Sequence, residues 1–417
     1  LRAGGVGLAG GLAVITHPVV LPYFVVLCLW LFGSELHQRI RQGKSSKRFF
    51  RRTLPSGAAL CLGFAMVTIP VAWGSYRLTG SFSFLPSFGG LNFYIGNMPD
   101  SEALNQVRPG MDWEVLVLTP IREGGVRGGV AGEQAWFYQQ SLGWLRREPL
   151  SFMGNLLGKT PGFFTSREIP NNVNLYLMRR WSAILQVLVW RIGPWGFPFG
   201  LLFPLAVVGW VARFRKIPLP VHLFVILFPV AVILVFNSAR NRLPITPVVI
   251  ILAAAGIVSL ADWLRRREWK PLLVAGAALT GLVLLTALPG PFPRERIDSE
   301  AEMHYILGNY ALKERRAEEA ANHYLRSLAL RPQHGATHMN LGLAMLCAGR
   351  DGETARRALE RAVALNPQSA DARLNLATLY LDLGMRDKAL EQYKEALSAH
   401  PLLLERDPGV RRMFADD

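Results

Sequence analysis

Apolar runs of 17 to 20 residues recur along this chain, separated by short basic joins. A run of that length crosses about 30 Å of hydrocarbon when helical. In lipid such a segment must satisfy its own backbone N–H and C=O groups, so helix is the only open form it can take. The apolar stretches, three of them shorter than 17 residues, fall at Ala3–Ile15, Val19–Phe32, Gly57–Tyr76, Phe197–Ala212, Leu219–Phe236, Leu243–Ala261 and Pro271–Leu288. The first two are broken at Thr16-His17-Pro18 and read as a helical hairpin. A mean hydropathy of +0.22 over the chain agrees with a membrane class.

Charge separates two halves. The formal net charge is +16, but residues 291–417 hold 18 Lys+Arg against 19 Asp+Glu. The basicity therefore belongs to the apolar half, where it reads as topology and headgroup contact before nucleic-acid binding. The joins 33–56, 213–218 and 262–270 are basic and fall on one side of the alternation, which marks the cytoplasm. Residues 77–180, the turn at His17, the loop 237–242 and everything after Leu288 then face outward. The expected site is a bacterial inner or plasma membrane. The amphipathic stretch Trp181–Ile192 is expected to be a helix lying at the interface.

The tail repeats. Pro332, Pro367 and Pro401 recur every 34 to 35 residues, with small residues and Tyr at fixed offsets: Gly308, Ala320, Tyr324; Gly342, Ala355, Leu359; Ala377, Ala389, Tyr393. That is the tetratricopeptide pattern, two helices per unit crossing at small residues. Units are expected at 301–334, 335–369 and 370–403, with Leu402–Phe414 as a capping helix. The fold class is thus all-α dominated. Transmembrane spans at 1–76 and an extracytoplasmic segment at 77–194 come first. Four spans at 195–290 and an α-solenoid at 291–417 follow.

Candidate binding residues lie on the outer side. Arg240 and Arg242 put two guanidinium groups in a short outer loop, against the positive-inside bias. Arginine matches phosphate oxygens with a fork of donors, so the pair suits a lipid phosphate; plain snorkelling is the alternative. His17 could add a donor. Asn92, Tyr94 and Asn97 form an aromatic–amide patch suited to a sugar, or a strand and turn. Lys159, Glu168, Asn171 and Asn172 group a cation, a carboxylate and two amides, with Glu168 a base, a metal ligand or a partner of Arg167. No Gly-rich phosphate loop with Lys-Ser/Thr, zinc-spaced Cys/His cluster or Gly-x-Ser-x-Gly elbow occurs in the sequence.

Four stretches carry a resemblance. They are Gly11-Leu12-Ala13-Val14-Ile15-Thr16-His17-Pro18, Asn92–Asn97, Glu168–Asn172 and Ala239-Arg240-Asn241-Arg242-Leu243-Pro244. With the topology, they make the chain resemble the C-terminal two-thirds of GT-C fold glycosyltransferases that use polyprenyl-phosphate sugars. Within these it is similar to the dolichyl-phosphate-mannose protein mannosyltransferase-like group, glycosyltransferase family 39. His17 stands where that group usually has Arg.

The resemblance implies inverting transfer of a sugar from a polyprenyl-phosphate donor, with room for a divalent metal and no other cofactor. It implies that Arg240, Arg242 and His17 face the donor phosphate. The acidic catalytic base would lie in an N-terminal part expected to be missing, since the chain starts at Leu1. Expected partners are membrane lipid, the lipid-linked donor and a protein bound by the repeats. Two competing readings are a membrane-anchored scaffold without catalysis and a lipid-linked oligosaccharide ligase, polymerase or flippase.

Overall fold

The computed structural model describes residues 2–41, 46–85, 88–104, 111–126, 129–169, 175–235, 239–288, 299–350 and 352–400. The chain divides into two units. The first holds Leu1–Ser101 with Gly128–Pro293, and the second holds Glu102–Arg127 with Arg294–Asp417. The segment expected at 77–194 is therefore not a single body, because 102–127 group with the repeats.

In the first unit α1 (Arg2–Thr16) and α2 (Leu21–Arg41) flank a short 3-10 turn at Pro18–Val20. The long α3 (Ser46–Thr79) packs back on α1, and α4 (Gly89–Asn97) follows. Asn92–Asn97 is therefore helix, where a strand and turn was the alternative. A short α5 (Ser101–Leu104) precedes α6 (Met111–Gly124), which belongs to the second unit. The first unit resumes with α7 (Gly129–Arg147), α8 (Pro149–Phe164), α9 (Leu175–Met178) and α10 (Ala183–Leu188).

Trp181–Ile192 is not one interfacial helix. A 3-10 turn at Arg179–Trp181, α10 and strand β1 (Trp190–Ile192) divide it, and β1 pairs antiparallel with β2 (Trp195–Phe197). Its β-branched and aromatic end, Val189-Trp190-Arg191-Ile192, prefers the strand that a Gly193 turn at φ +56° allows.

Then come α11 (Phe199–Ala212), α12 (Leu219–Val235), α13 (Thr246–Arg265) and α14 (Trp269–Ala287). A close crossing joins α11 to α13. A Cβ on Gly209 would lie 2.0 Å from the Leu252 carbonyl oxygen, and one on Gly256 would lie 2.3 Å from that of Leu205. Small residues at such a crossing let the two backbones meet.

Among the described residues, three helices are long and apolar enough to cross a membrane: Pro55–Thr79, Arg240–Arg265 and Trp269–Ala287. The other expected spans are shorter apolar helices, Ala3–Thr16, Pro18–Ser34, Phe199–Ala212 and Leu219–Val235. These helices turn large apolar side chains outward; Leu62 is 64% exposed and Leu273 72%.

The repeats are three helix pairs: α15 (Ser299–Lys313) with α16 (Ala317–Leu330), α17 (Gly335–Cys347) with α18 (Gly352–Leu365), and α19 (Ala370–Asp382) with α20 (Arg386–Ala399). Ala320, Ala355 and Ala389 are fully buried where the pairs cross, and Tyr324 and Leu359 fill the space against Gly308 and Gly342. The first helices touch their successors directly, α15 on α17 and α17 on α19. The second helices reach the next pair through its first helix, α16 on α17 and α18 on α19. The first helices therefore line the inner, concave face of the stack. The expected capping helix, Leu402–Phe414, lies outside the described residues.

Candidate functional site

Helix ends explain four of the buried polar residues in the first unit, Asn97, Lys159, Ser166 and Arg242. The last carbonyls of a helix have no partner within it, and they carry partial negative charge that favours a cation. Arg242 serves the end of α8. It is buried, 4% exposed, in the 3-10 turn Ala239–Ile245. Its Nη1 donates to the Thr165 carbonyl at 2.6 Å and more distantly to that of Phe163, at 3.5 Å. Nη2 donates to the Arg167 carbonyl at 2.9 Å and to Glu168 Oε2 at 3.1 Å. The guanidinium also lies over the Phe199 ring, 4.4 Å from its centre. Both terminal nitrogens are thus committed to protein oxygens. Glu168 is the partner of Arg242, and its backbone N–H donates to the Tyr176 hydroxyl.

Lys159 does the same for α4. Its Nζ, 5% exposed as a residue, donates to the Gly96 carbonyl at 2.8 Å and to Asn97 Oδ1 at 2.9 Å. Burial pushes its ammonium down to about 8. Asn97 in turn donates through Nδ2 to the Phe93 and Leu234 carbonyls, each at 2.9 Å. Leu234 sits in the last turn of α12, so one amide and one ammonium join the ends of α4 and α12 to the middle of α8.

Ser166 completes the set at α14. Its N–H and hydroxyl both donate to the Thr286 carbonyl, at 2.8 and 2.9 Å, while the Gly196 N–H donates to its Oγ at 3.0 Å. The sequence offered no sign of Ser166, since a lone serine in a polar stretch is unremarkable.

The expected donor-phosphate group is divided. Arg240 is exposed and its charge and backbone lie close enough to His17 to act on its imidazole, so those two are together. Arg242 points into the unit instead. Of the expected sugar patch, Lys159 and Asn97 are joined directly. Tyr94 packs its ring on Phe137 at 5.1 Å and Trp136 at 6.1 Å. Asn92 is half-buried in the first turn and a half of α4. Asn171 and Asn172 lie outside the described residues.

In the repeats a polar link crosses the inner face. Asn309 Oδ1 on α15 accepts from the Tyr324 hydroxyl on α16 and from Asn340 Nδ2 on α17, each at 2.8 Å. Two asparagines on successive first helices were the available signal, and the repeat pattern of small residues drew attention away from them. The same face receives α6, which packs on α17 with Leu116, Thr119 and Pro120 buried. Arg122 Nη1 donates to Gln368 Oε1 at 3.0 Å, in the turn that leads into α19.

Family models described as tetratricopeptide repeat match residues 305–353 and 348–403. The C-terminal part is a tetratricopeptide repeat array. U-box domain-containing protein 70 of Oryza sativa subsp. japonica is 32% identical over 123 residues, 29% of this chain and 15% of that protein. Tetratricopeptide repeat-containing protein trd-1 of Caenorhabditis elegans is 33% identical over 113 residues, 26% of this chain and 14% of that protein. The chain thus matches about a seventh of the length of these relatives. Among solved structures, MamA is 19% identical with a TM-score of 0.25, covering 41% of this chain and 99% of its own. A thermophilic tetratricopeptide protein of Thermus thermophilus is 24% identical with a TM-score of 0.23, covering 51% and 96%. Tetratricopeptide repeats generally mediate protein–protein interaction.

Proposed function

We propose that this chain is a membrane-anchored scaffold whose repeats recruit a protein partner. The observation that carries the reading is the concave face of α15, α17 and α19, crossed by the Asn340–Asn309–Tyr324 link. Solenoid curvature makes such faces extended binding surfaces. The outward apolar side chains of α3 and α14 support the anchor, because patches of that kind mark protein or membrane contact. Recruitment is tested with full-length protein in membranes, carrying a photo-cross-linker on α17. The partner adduct is expected to disappear in Asn309→Ala/Asn340→Ala and to persist in Arg240→Ala. An adduct that survives the double substitution refutes the reading.

A second reading, transfer of a sugar from a polyprenyl-phosphate donor, draws on one observation: exposed Arg240 beside His17. Under it, Arg240 meets the donor phosphate while Arg242 holds the wall behind. Full-length protein would then move labelled sugar from lipid phosphate to an acceptor, and Arg240→Ala would abolish that. Transfer unchanged in Arg240→Ala rules out this role.

A further inference from the structure

Within the repeat unit, α6 is the one described helix of eight or more residues that comes from elsewhere in the sequence. It is not part of any repeat. It lies on the middle helix of the concave face, where a partner of the array would be received. Its Leu116, Thr119 and Pro120, spaced 3 and 1 apart, form one buried stripe of the helix. Helix-in-groove recognition uses such anchors at i, i+3 and i+4.

The hold is modest. One side-chain link from α6 to the repeats is the exposed Arg122–Gln368 hydrogen bond at 3.0 Å. Pro120 inside the helix removes one backbone donor and keeps α6 from being a strong helix on its own. What favours the contact is covalent attachment, which makes it intramolecular.

We propose that α6 is a built-in ligand that occupies the groove of the repeat array and must leave before a partner enters. The proposal rests on the recruitment reading above and adds its regulation. It also describes the partner: a short amphipathic helix that presents a Leu-x-x-Thr-Pro-like apolar stripe followed by a basic residue. A groove filled by α6 about 99% of the time weakens a competing helix roughly 100-fold.

The test uses a fluorescent peptide of residues 111–124 and detergent-solubilised full-length chain. Wild type is expected to bind the peptide weakly, because its own α6 is in place. Leu116→Asp, which removes the central anchor of the resident α6, is expected to bind it at least ten-fold more tightly. Arg122→Ala, which touches the surface alone, is expected to give a smaller gain and serves as a second variant that leaves the fold intact. Hydrogen exchange across α17 should rise in both variants. Equal peptide binding by wild type and both variants overturns the proposal, and so does binding by none of them. A positive peptide result with no partner adduct sinks recruitment and leaves the α6 contact standing. An adduct with no peptide effect does the reverse.

Discussion

Several helices of the two units end in different ways, although α13 of the first unit also closes on a left-handed residue, Arg267 at φ +56°, with the Glu268 N–H returning to the Trp263 carbonyl. In the repeats the solution is local. α15, α17 and α19 each run into a residue with left-handed backbone, Arg315 at φ +60°, Gly349 at +68° and Gly384 at +73°. The next N–H then returns five residues, Arg316 to Ala311, Arg350 to Met345 and Met385 to Tyr380. That is a Schellman turn, which serves the last carbonyls from the backbone alone. In the first unit the ends of α4, α8, α12 and α14 are served by side chains from distant sequence: Lys159, Arg242, Asn97 and Ser166. A stack of repeats meets the same neighbours in every unit and can close each helix with a turn. Where a helix of the apolar body stops without such a turn, a donor comes from distant sequence.

The sharpest way to break this contrast is Arg242→Ala. It removes the donors of α8's end and leaves Glu168 without its partner. The expected loss is about 3–5 kcal/mol in the first unit, the range for breaking a buried pair. Arg240→Ala, two residues away and exposed, should change stability by less than about 0.5 kcal/mol. All tryptophans but Trp113 lie in the first unit's sequence, so heat unfolding followed by tryptophan emission reports that unit. Similar midpoints for the two variants would show that α8 does not depend on the guanidinium.

A helix start in the repeats gives the next effect. His334, at the N-terminal boundary of α17, is 7% exposed and is held down to about 4, first by burial and then by Arg331 and His338. The unfolded chain takes up a proton near 6.5 that the folded repeats refuse until about 4, so folding loses stability as pH falls through that window. The loss is on the order of 3 kcal/mol. Hydrogen exchange in α15–α20 between pH 7 and 4 measures it, and His334→Gln should flatten the dependence. An unchanged slope in that variant would assign the acid sensitivity elsewhere.

Two smaller changes probe the local turns. Gly384→Val forces a β-branched residue into left-handed backbone and should cost about 1–2 kcal/mol. Arg315→Gly relieves the same strain in the first repeat and should add about 0.5–1 kcal/mol. Urea midpoints for the repeat helices, read by exchange, decide both; a destabilised Arg315→Gly would mean that the Arg315 side chain matters more than its backbone.

This contrast also explains what could be read from the sequence. Gly308, Gly342, Ala320, Ala355 and the prolines announce the repeats because each reports a contact inside its own unit. Arg242, Glu168, Lys159 and Asn97 were legible as unusual, since charges and amides beside apolar runs need a reason. Their reason was read as a ligand. The structure gives the three donors helix-end carbonyls instead, Lys159 to Gly96, Arg242 to Thr165 and Asn97 to Leu234, at sequence separations of 63 to 137 residues, and gives Glu168 the Arg242 guanidinium. Nothing in a pattern of residue types tells an anion held by a donor from a helix end held by the same donor. The strand pair at Trp190–Phe197 was missed because its Trp and Arg content fits an interfacial helix equally well.

The origin of α6 has one more consequence. The chain passes between the two units at 101/102, 127/128 and 293/294. A protein cut at the last of these points would still be one particle for as long as α6 stayed docked, since the severed repeats would cling to a helix that remains covalently part of the other half. In the language of assembly, the molecule is its own fragment-complementation pair, and the lifetime of that nicked complex is a direct clock for α6 release.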